Sequence, residues 1–287
     1  LRMRKLFESK RKEVDRALEH CLRSFFGSGV LRDAAFYALF PGGKRIRPLM
    51  AMVMGEGFGA SKKDLSAFAC AIEIIHNYTL IHDDLPAMDN DDYRRGKLTV
   101  HRKFGEACAI LLGDALLTHA FELLGALGKP EVLSRVARAI GGRGVILGQV
   151  LDLNLDPKTK KNSRSLPYIN RLKTARLFEA AIVGAALLAK PGPGQKTIGE
   201  LEKFSELFGL CFQVADDLAD AEEESRKKIA TQASVGNHHG LVKFLAAGLR
   251  DLENKAGKIP IHDSYKKKLV SLIRYLYPSN GSGQNSA

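Results

Sequence analysis

Apolar residues recur at steps of three and four along most of the chain, which is the spacing of one face of an α-helix. Phe68, Ile72 and Ile75 show this spacing in the first long apolar segment. Residues 106–127 and 171–189 are apolar around most of a helical circumference, a pattern typical of helices buried on several sides. No stretch sustains the alternation of apolar and polar residues that marks a half-buried strand. The pattern therefore predicts an all-α fold.

Interruptions of this pattern are short, and neither a linker nor an internal repeat divides the chain. We therefore expect a single domain over residues 1–277. The final segment, residues 278–287, reads PSNGSGQNSA and is predicted to be disordered, because it has almost nothing apolar to bury. The longest uncharged apolar run, Ala180 to Ala189, is too short to cross a bilayer, so no transmembrane helix is expected.

Composition narrows the classes of protein that remain. The 287 residues are 45% hydrophobic, which excludes global disorder, and the net charge of +12 invites a nucleic-acid partner. However, residues 1–32 and 250–287 carry +5 and +4 of that excess, and the middle of the chain is nearly balanced. The four cysteines are scattered and form no C-x-x-C pair, so we expect reduced thiols in the cytoplasm rather than disulfides or a zinc ribbon.

Two dense acidic clusters lie in the nearly balanced middle. In the second, Asp216 and Asp220 are four residues apart, so a helix places both carboxylates on one face. Carboxylates held together repel each other and call for a cation or a raised pKa. Oxygen ligands suit Mg2+, which binds a few carboxylates and completes its shell with water and substrate phosphates. The spacing therefore predicts a magnesium site.

The first cluster is DDLPAMD at residues 83–89, where Asp83 and Asp89 would lie on different faces of a straight helix. Pro86 disfavours a continuous helix, and a broken segment could bring both carboxylates to one metal. The arginines at 94 and 95 follow closely, which indicates a metal-bridged phosphate. An acidic run is often only a solvated helix end, but both clusters follow apolar helices, which favours function.

Several polar residues at the ends of apolar helices allow either a binding or a purely structural role. Lys44 and Arg47 follow a Gly-Gly pair, which permits close approach to an anion but is more common in plain turns. Lys173 either extends to solvent or faces an anion. His76 on an apolar helix is more often a satisfied core residue than a ligand. Gln213 lies one turn before the second acidic cluster, where it is placed to orient a ligand.

Six ordered segments together carry a resemblance: GGKRIRP at 42–48, EIIHNYTLIHDDLPAMDNDDYRRGKLTVH at 73–101, LLGDALL at 111–117, GQVLDL at 148–153, RLKTARL at 171–177 and GLCFQVADDLAD at 209–220. In this order they resemble the trans-isoprenyl diphosphate synthases, the polyprenyl synthetase family, and most closely its bacterial short-chain members. The resemblance implies an all-α bundle around a central apolar cavity. It also implies a cytoplasmic homodimer that uses about three Mg2+ ions per active site.

The activity implied by the resemblance is a head-to-tail condensation of an allylic diphosphate, dimethylallyl or geranyl, with isopentenyl diphosphate. Its partners are therefore small diphosphate esters rather than nucleic acid. The residues implied as metal ligands or their supports are Asp83, Asp84, Asp89, Asp216, Asp217 and Asp220. The residues implied to bind isopentenyl diphosphate are Gly43, Lys44, Arg47, His76 and Arg95.

The same resemblance assigns Arg94 and Lys173 to the allylic diphosphate, and Thr174 and Gln213 to the developing carbocation. The loop after the second cluster lacks the Gly-Lys segment usual in the family, so Lys227 or Lys228 is expected to supply that phosphate contact.

The resemblance also implies which residues limit product length, because in this family the side chains one turn before the first aspartates form the floor of the product tunnel. Here these residues are Tyr78 and Thr79, and a bulky ring at that position implies a C15 product, farnesyl diphosphate. A C20 product is the alternative.

Three further functions compete with this one. The divergent loop would suit a non-catalytic subunit of a prenyl synthase, although both aspartate clusters are intact. His82-Asp83 resembles the HD dyad of metal-dependent phosphohydrolases, but that function leaves the two arginines unexplained. A nucleic-acid-binding protein would show strongly salt-dependent binding.

Overall fold

The computed structural model describes residues 2–40, 42–153, 166–226 and 238–276, with the backbone alone described for residues 2–4, 220–226 and 276. Helices account for most of these residues, and the strands among them form one hairpin of two residues each. The predicted all-α class is therefore confirmed. The predicted tail lies outside the described residues, as do Lys227 and Lys228, and the domain bounds 1–277 stay a prediction.

The chain divides into two compact units. Unit 1 covers Leu1–Ala137 and Gly184–Gly192, and unit 2 covers Arg138–Val183 and Pro193–Ala287. The elements that lie wholly in unit 1 are α1 Arg2–Phe25, α2 Val30–Leu39, α3 Ile46–Phe58, α4 Lys62–Asp83, β1 Tyr93–Arg94, β2 Lys97–Leu98, α5 Val100–Phe104 and α6 Glu106–Ala126.

Two helices, α7 Pro130–Ile140 and α10 Arg176–Leu187, contribute residues to both units. Unit 2 otherwise contains α8 Val145–Leu153, α9 Leu166–Asn170, a π-helical segment Arg171–Ala175, α11 Gln195–Arg226, α12 His238–Lys258 and α13 Asp263–Leu276.

Helix α4 is the centre of unit 1 and packs against α1, α3 and α6. It begins at a capped end, since the Ser61 hydroxyl accepts the backbone N–H of Asp64 at 3.1 Å. Phe68, Ile72 and Ile75 are fully buried, as the apolar spacing predicted. Burying each such side chain stabilises the fold by about 1.5–3 kcal/mol. The helix that carries the first aspartates is thus anchored on several sides.

Helix α6 lies where the apolar segment predicted a helix, and it buries Ala109, Leu112 and Leu116. The expected burial on several sides is wrong for the single chain, because Ile110 and Leu111 are exposed. Among the described residues, it is the helix whose length and composition would allow it to cross a membrane. A core helix of a soluble protein passes the same test, so this property is weak evidence of a membrane span. The expected absence of a transmembrane helix stays a prediction.

The core of unit 2 is aromatic where α10 meets α11. Phe178, Phe204 and Phe208 are fully buried. The rings of Phe178 and Phe208 pack edge to face, with centroids 4.9 Å apart, and Phe212 lies 5.2 Å from Phe178. Such pairs add about 0.5–1.5 kcal/mol to the area they bury. This core holds the start of α10 against the turn of α11 that precedes the second acidic cluster.

Candidate active site

The first acidic cluster begins where α4 ends. The backbone turns after Asp83, and the N–H of Asp89 donates to the carbonyl of Asp83 at 2.9 Å. The N–H groups of Met88 and Asn90 both donate to the carbonyl of Leu85, at 2.9 and 3.1 Å. The helix break that Pro86 predicted is therefore confirmed. This backbone bond brings the main chains of two aspartates that are six positions apart into contact.

Asp84 directly follows the last residue of α4 and is almost fully buried, with its side chain 5% exposed. The Nε of Arg94 donates to Asp84 Oδ1 at 2.6 Å, and its terminal nitrogen reaches the same oxygen at 2.5 Å. Burial raises the pKa of Asp84, while the hydrogen bond and charge of Arg94 oppose that rise. Arg94 also approaches Asp91 at 3.3 Å. Arg94, which is predicted to bind the allylic diphosphate, thus lies between two carboxylates.

Four of the residues implied to bind isopentenyl diphosphate form a cationic cluster in unit 1. The Arg47 guanidinium lies 3.3 Å from His76 Nε2, and the Arg95 guanidinium packs against the backbone of Gly43. A side chain at position 43 would meet Arg95 at 3.0 Å, which explains why glycine suits this loop. Burial lowers the pKa of His76 well below its usual value, and the charges of Arg47 and Arg95 lower it further. His76 is therefore a neutral imidazole among cations.

The fifth member of that set, Lys44, is exposed, and the loop that carries it is held by Arg45. Arg45 has a left-handed backbone (φ 52°) and a fully buried side chain. Its guanidinium donates to Glu73 at 2.6 Å, to Asp15 at 2.9 Å and to the carbonyl of Leu39 at 2.5 Å. Sequence reasoning missed this network. The available signal was Glu73, a carboxylate within an apolar helix, which requires a buried partner.

In unit 2, the segment predicted as continuous helix over 171–189 differs from expectation. Residues Arg171–Ala175 form a π-helical turn before α10 begins. A π-bulge places one extra residue in a helix, and such bulges are frequent at functional sites. Two glycines leave room for this π-helical turn. A Cβ at Gly148 would lie 2.7 Å from the backbone nitrogen of Lys173, and a Cβ at Gly209 would lie 2.5 Å from the Cα of Ala175. Lys173 and Thr174 both lie in this turn.

A chain of hydrogen bonds links the predicted polar residues of unit 2. The Thr174 hydroxyl donates to Gln213 Oε1 at 2.8 Å, and the Gln213 amide donates to Asp217 Oδ1 at 2.9 Å. Lys173 Nζ binds Asp152 Oδ2 at 2.8 Å, with both side chains about one-third exposed. Asp152 was not predicted. Its signal was its position in GQVLDL, directly after the apolar residues of α8.

Each acidic cluster offers carboxylate oxygens, the type of ligand that Mg2+ prefers. Asp83 is half-buried and Asp89 is exposed, while Asp216 is half-buried on α11. Within the described residues, no group of three or more histidine, cysteine or acidic side chains converges on one point. Mg2+ does not require one, because it is usually held by one or two carboxylates with water and substrate phosphates in the other positions. The side chain of Asp220 lies outside the described residues.

The residues predicted to set product length lie on α4, one helical turn before the segment 83–90, which we call the acidic turn. Tyr78 is buried, and its hydroxyl has no hydrogen-bond partner in the described part of the chain. Burial raises the pKa of Tyr78 to about 12, and the charge of Asp83 adds to that rise. Thr79 is half-buried and donates its hydroxyl to the carbonyl of His76 at 2.9 Å. An unpaired phenol in an apolar setting is costly, which makes this position unusual.

The structure is therefore that of an all-helical protein whose candidate site combines carboxylates with clustered cations. Residues 28–237 match the polyprenyl synthetase family model, and the chain belongs to that family. The family resemblance predicted from the six motifs is therefore confirmed.

Similar proteins agree with this assignment. The chain is 38% identical over 245 residues to the farnesyl diphosphate synthase of Geobacillus stearothermophilus, covering 82% of each protein. It is 41% identical over 207 residues to the geranylgeranyl diphosphate synthase of Cyanophora paradoxa, covering 69% of this chain and 68% of that protein. Among solved structures, a geranyltransferase from Legionella pneumophila superposes with a TM-score of 0.83 at 31% identity, covering 96% of both chains.

Proposed function

We propose that the chain is a Mg2+-dependent prenyltransferase that condenses dimethylallyl or geranyl diphosphate head-to-tail with isopentenyl diphosphate. Farnesyl diphosphate and diphosphate are the products. The observation that carries the proposal is the combination, in unit 1, of the acidic turn with the cationic cluster of Arg47, His76 and Arg95. That combination suits metal-bridged diphosphates better than a nucleic acid or a phosphate ester that is only hydrolysed.

The diphosphates are held by charge. Lys44, Arg47 and Arg95 would bind isopentenyl diphosphate, with the neutral His76 supplying a directed hydrogen bond rather than another charge. Arg94 and Lys173 would bind the allylic diphosphate. Each is already paired with a carboxylate, Asp84 and Asp152, which holds its side chain in a fixed geometry before substrate arrives. Asp83, Asp89 and Asp216 would hold Mg2+, about three ions in all. When bound, the metal offsets the negative charge of the leaving diphosphate.

The reaction breaks the allylic C–O bond, and the double bond of isopentenyl diphosphate attacks the resulting cation. The Thr174 hydroxyl donates a hydrogen bond to Gln213, so the oxygen lone pairs of Thr174 can face positive charge. The second bond, from Gln213 to Asp217, fixes the orientation of the amide. Preorganised dipoles of this kind stabilise a charge that develops in the transition state. The proton lost from the new prenyl chain passes to the released diphosphate.

Tyr78 supports the C15 product. Its ring is buried one turn before the acidic turn, where a growing chain would meet it. A large rigid side chain at that point ends elongation sterically, and the C20 alternative is not favoured.

The assembly and location are proposed with the same enzyme. Exposed Ile110 and Leu111 on α6 are apolar side chains that a second copy of the chain could cover, which supports a homodimer. Light scattering of the purified protein measures this directly, and a monomeric mass would contradict it. A cytoplasmic location fits the reduced cysteines.

The deciding experiment incubates the purified protein with isopentenyl diphosphate, Mg2+ and either allylic diphosphate. We expect diphosphate release that stops on chelation of the metal, with farnesyl diphosphate as the main product by mass. The same assay tests the non-catalytic-subunit alternative. Absence of turnover with both allylic substrates would contradict the proposed enzyme.

A further inference from the structure

Arg45 lies between Lys44 and Arg47, the two cations of the segment GGKRIRP that are proposed to bind isopentenyl diphosphate. Lys44 is exposed and Arg47 is half-buried, whereas the side chain of Arg45 is fully buried. A fully buried side chain does not reach a diphosphate in solution. Arg45 therefore has a different role from its two basic neighbours.

The guanidinium of Arg45 joins four helices of unit 1. Its Nε donates to Asp15 of α1 at 2.9 Å, and its terminal nitrogens donate to Glu73 of α4 at 2.6 Å and to the carbonyl of Leu39, the last residue of α2, at 2.5 Å. The backbone of Arg45 forms the N-terminal cap of α3. One side chain therefore fixes the start of α3 relative to the three helices around it.

Two carboxylates balance the charge of this buried cation. The Glu73 side chain is 3% exposed, and the amide of Asn77 donates to its carboxylate at 3.2 Å and to its backbone carbonyl at 2.8 Å. Burial alone would lower the pKa of Arg45, but the charges and hydrogen bonds of Glu73 and Asp15 raise it overall. Arg45 therefore stays charged, and its charge is used within the protein.

The two glycines of the segment make room for two guanidiniums. A Cβ at Gly42 would overlap the guanidinium of Arg45, and a Cβ at Gly43 would lie 3.0 Å from the guanidinium of Arg95. Residues 42–45, which we call the glycine loop, therefore pack at successive positions on a buried arginine and on an arginine proposed to bind isopentenyl diphosphate. A shift of Arg45 would move the backbone against which Arg95 packs.

The backbone of Arg45 is held in a conformation that arginine rarely adopts. Its φ of 52° and ψ of 39° lie in the left-handed region. Such a conformation persists where the surrounding contacts over-determine it, and it is frequent at ligand sites. Here the three hydrogen bonds of the guanidinium supply those contacts. Because Arg45 stands between Lys44 and Arg47, this bend sets how the two cations are placed relative to each other.

We propose that Arg45 is a positioning residue, which holds the cations of the isopentenyl diphosphate site in their binding arrangement without touching the ligand. This role rests on the proposed function, since it concerns one of the two substrate sites of that reaction. A site that is already in its bound geometry loses less entropy when the ligand binds. Arg45 should therefore contribute to the affinity for isopentenyl diphosphate, while kcat and the KM for geranyl diphosphate should depend on it little.

The test is equilibrium binding of isopentenyl diphosphate by calorimetry, with Mg2+ and without allylic substrate, followed by steady-state kinetics. Arg45→Lys keeps the charge, but an ammonium group lacks the planar fork that reaches three separate partners. We expect binding to weaken about tenfold and the KM for isopentenyl diphosphate to rise by the same factor. The kcat and the KM for geranyl diphosphate should stay within about twofold of the wild type.

The two measurements separate this role from the proposed function. If Arg45→Lys binds isopentenyl diphosphate as tightly as the wild type, the positioning role is wrong and the proposed function stands. If the wild type binds isopentenyl diphosphate but shows no turnover, the proposed function is wrong, and the comparison of affinities still decides the role of Arg45. A wild type that does not bind isopentenyl diphosphate would overturn both.

Glu56→Gln is the matched control for a general loss of stability. Glu56 binds Lys10 in another part-buried ion pair between α3 and α1, eleven positions after Arg45 and so about 16 Å further along the helix. Both variants should lower the midpoint of thermal unfolding, but Glu56→Gln should keep the wild-type affinity for isopentenyl diphosphate. Equal losses of affinity in the two variants would attribute the loss to stability and overturn the positioning role.

Gly42→Ala tests the same contact from the glycine loop and decides the question if Arg45→Lys does not fold. The added methyl group would overlap the guanidinium of Arg45, so affinity should fall about tenfold in a protein that is folded by circular dichroism. Combining both substitutions should cost less than the product of the separate losses, because lysine has no guanidinium for the methyl group to overlap. Wild-type affinity in Gly42→Ala, or losses that multiply in the double variant, would contradict the inference.

Discussion

The two acidic clusters are held in place by different kinds of hydrogen bond. In unit 1, the chain leaves its helix after Asp83, and backbone hydrogen bonds across the turn bring Asp89 back to it. In unit 2, α11 continues through Asp216 without a break, and side-chain bonds from Gln213 to Asp217 and Thr174 set the arrangement. Backbone bonds depend little on the identity of the side chains that they position. Side-chain bonds depend on every member.

This difference separates the residues whose replacement should change chemistry alone from those that should also change the arrangement of their neighbours. An aspartate of the turn can be replaced while the turn persists. Replacing any member of the Thr174–Gln213–Asp217 chain breaks at least one of its two hydrogen bonds, and replacing Gln213 breaks both. The following predictions test that contrast.

The largest effect is expected from the aspartates themselves. Asp83→Ala and Asp216→Ala should each reduce turnover about 1000-fold, because each removes roughly 4 kcal/mol of stabilisation from the leaving diphosphate. Steady-state diphosphate release measures the loss. Asp92→Ala in the same acidic segment and Glu200→Ala on the same helix α11 are controls that should stay near the wild-type rate. A near-normal rate for either test variant would refute that metal assignment.

A smaller loss is expected from the side-chain network of unit 2. Thr174→Val keeps the shape of the side chain but removes the bond to Gln213, and turnover should fall about 10–100-fold. The change should appear in kcat more than in KM, because the dipole acts on the developing cation. Ser205→Ala removes another buried hydroxyl of unit 2 and should keep full turnover. A Thr174→Val enzyme with an unchanged kcat would mean that this network has no role in the reaction.

Tyr78→Ala should change the product rather than the rate. Removing the ring opens space one turn before the acidic turn, so products longer than C15 should appear when allylic substrate is limiting. Tyr78→Phe keeps the ring and removes a hydroxyl that has no hydrogen-bond partner among the described residues, so its products should match the wild type. Chromatography of the dephosphorylated products measures chain length. Unchanged products from Tyr78→Ala would refute the tunnel-floor assignment.

The smallest effect concerns stability and pH in the cationic cluster. The pKa of His76 is lowered in the folded state by burial and by Arg47 and Arg95, so below about pH 6.5 the unfolded chain binds a proton that the folded chain does not. Stability should therefore fall as pH falls through that range, and His76→Gln should remove about 1 kcal/mol of this dependence. Urea unfolding at pH 7.5 and pH 5 measures it, with His238→Gln as an exposed control. An identical pH dependence in both variants would contradict the assignment.

Local rules predicted much of the site. Apolar periodicity located the helices around Phe68 and Leu112, and Pro86 predicted the break that the structure contains. The π-helical turn at Arg171–Ala175 escaped prediction, because an extra residue in a helix leaves the apolar pattern almost unchanged. Its signal lay elsewhere in the chain, in the glycines at 148 and 209 that make room for it.

The sequence by itself determined the helical class, the family and the types of side chain available for the proposed reaction, because these depend on near-neighbour spacing and ordered motifs. Only the tertiary structure decided which charges pair. Arg45 with Glu73, Lys173 with Asp152 and Cys21 with His119 are 21 to 98 positions apart along the chain. Many acids and bases of each type are available, and spacing does not choose among them. Packing of the helices brings one partner within reach and leaves the others too far away.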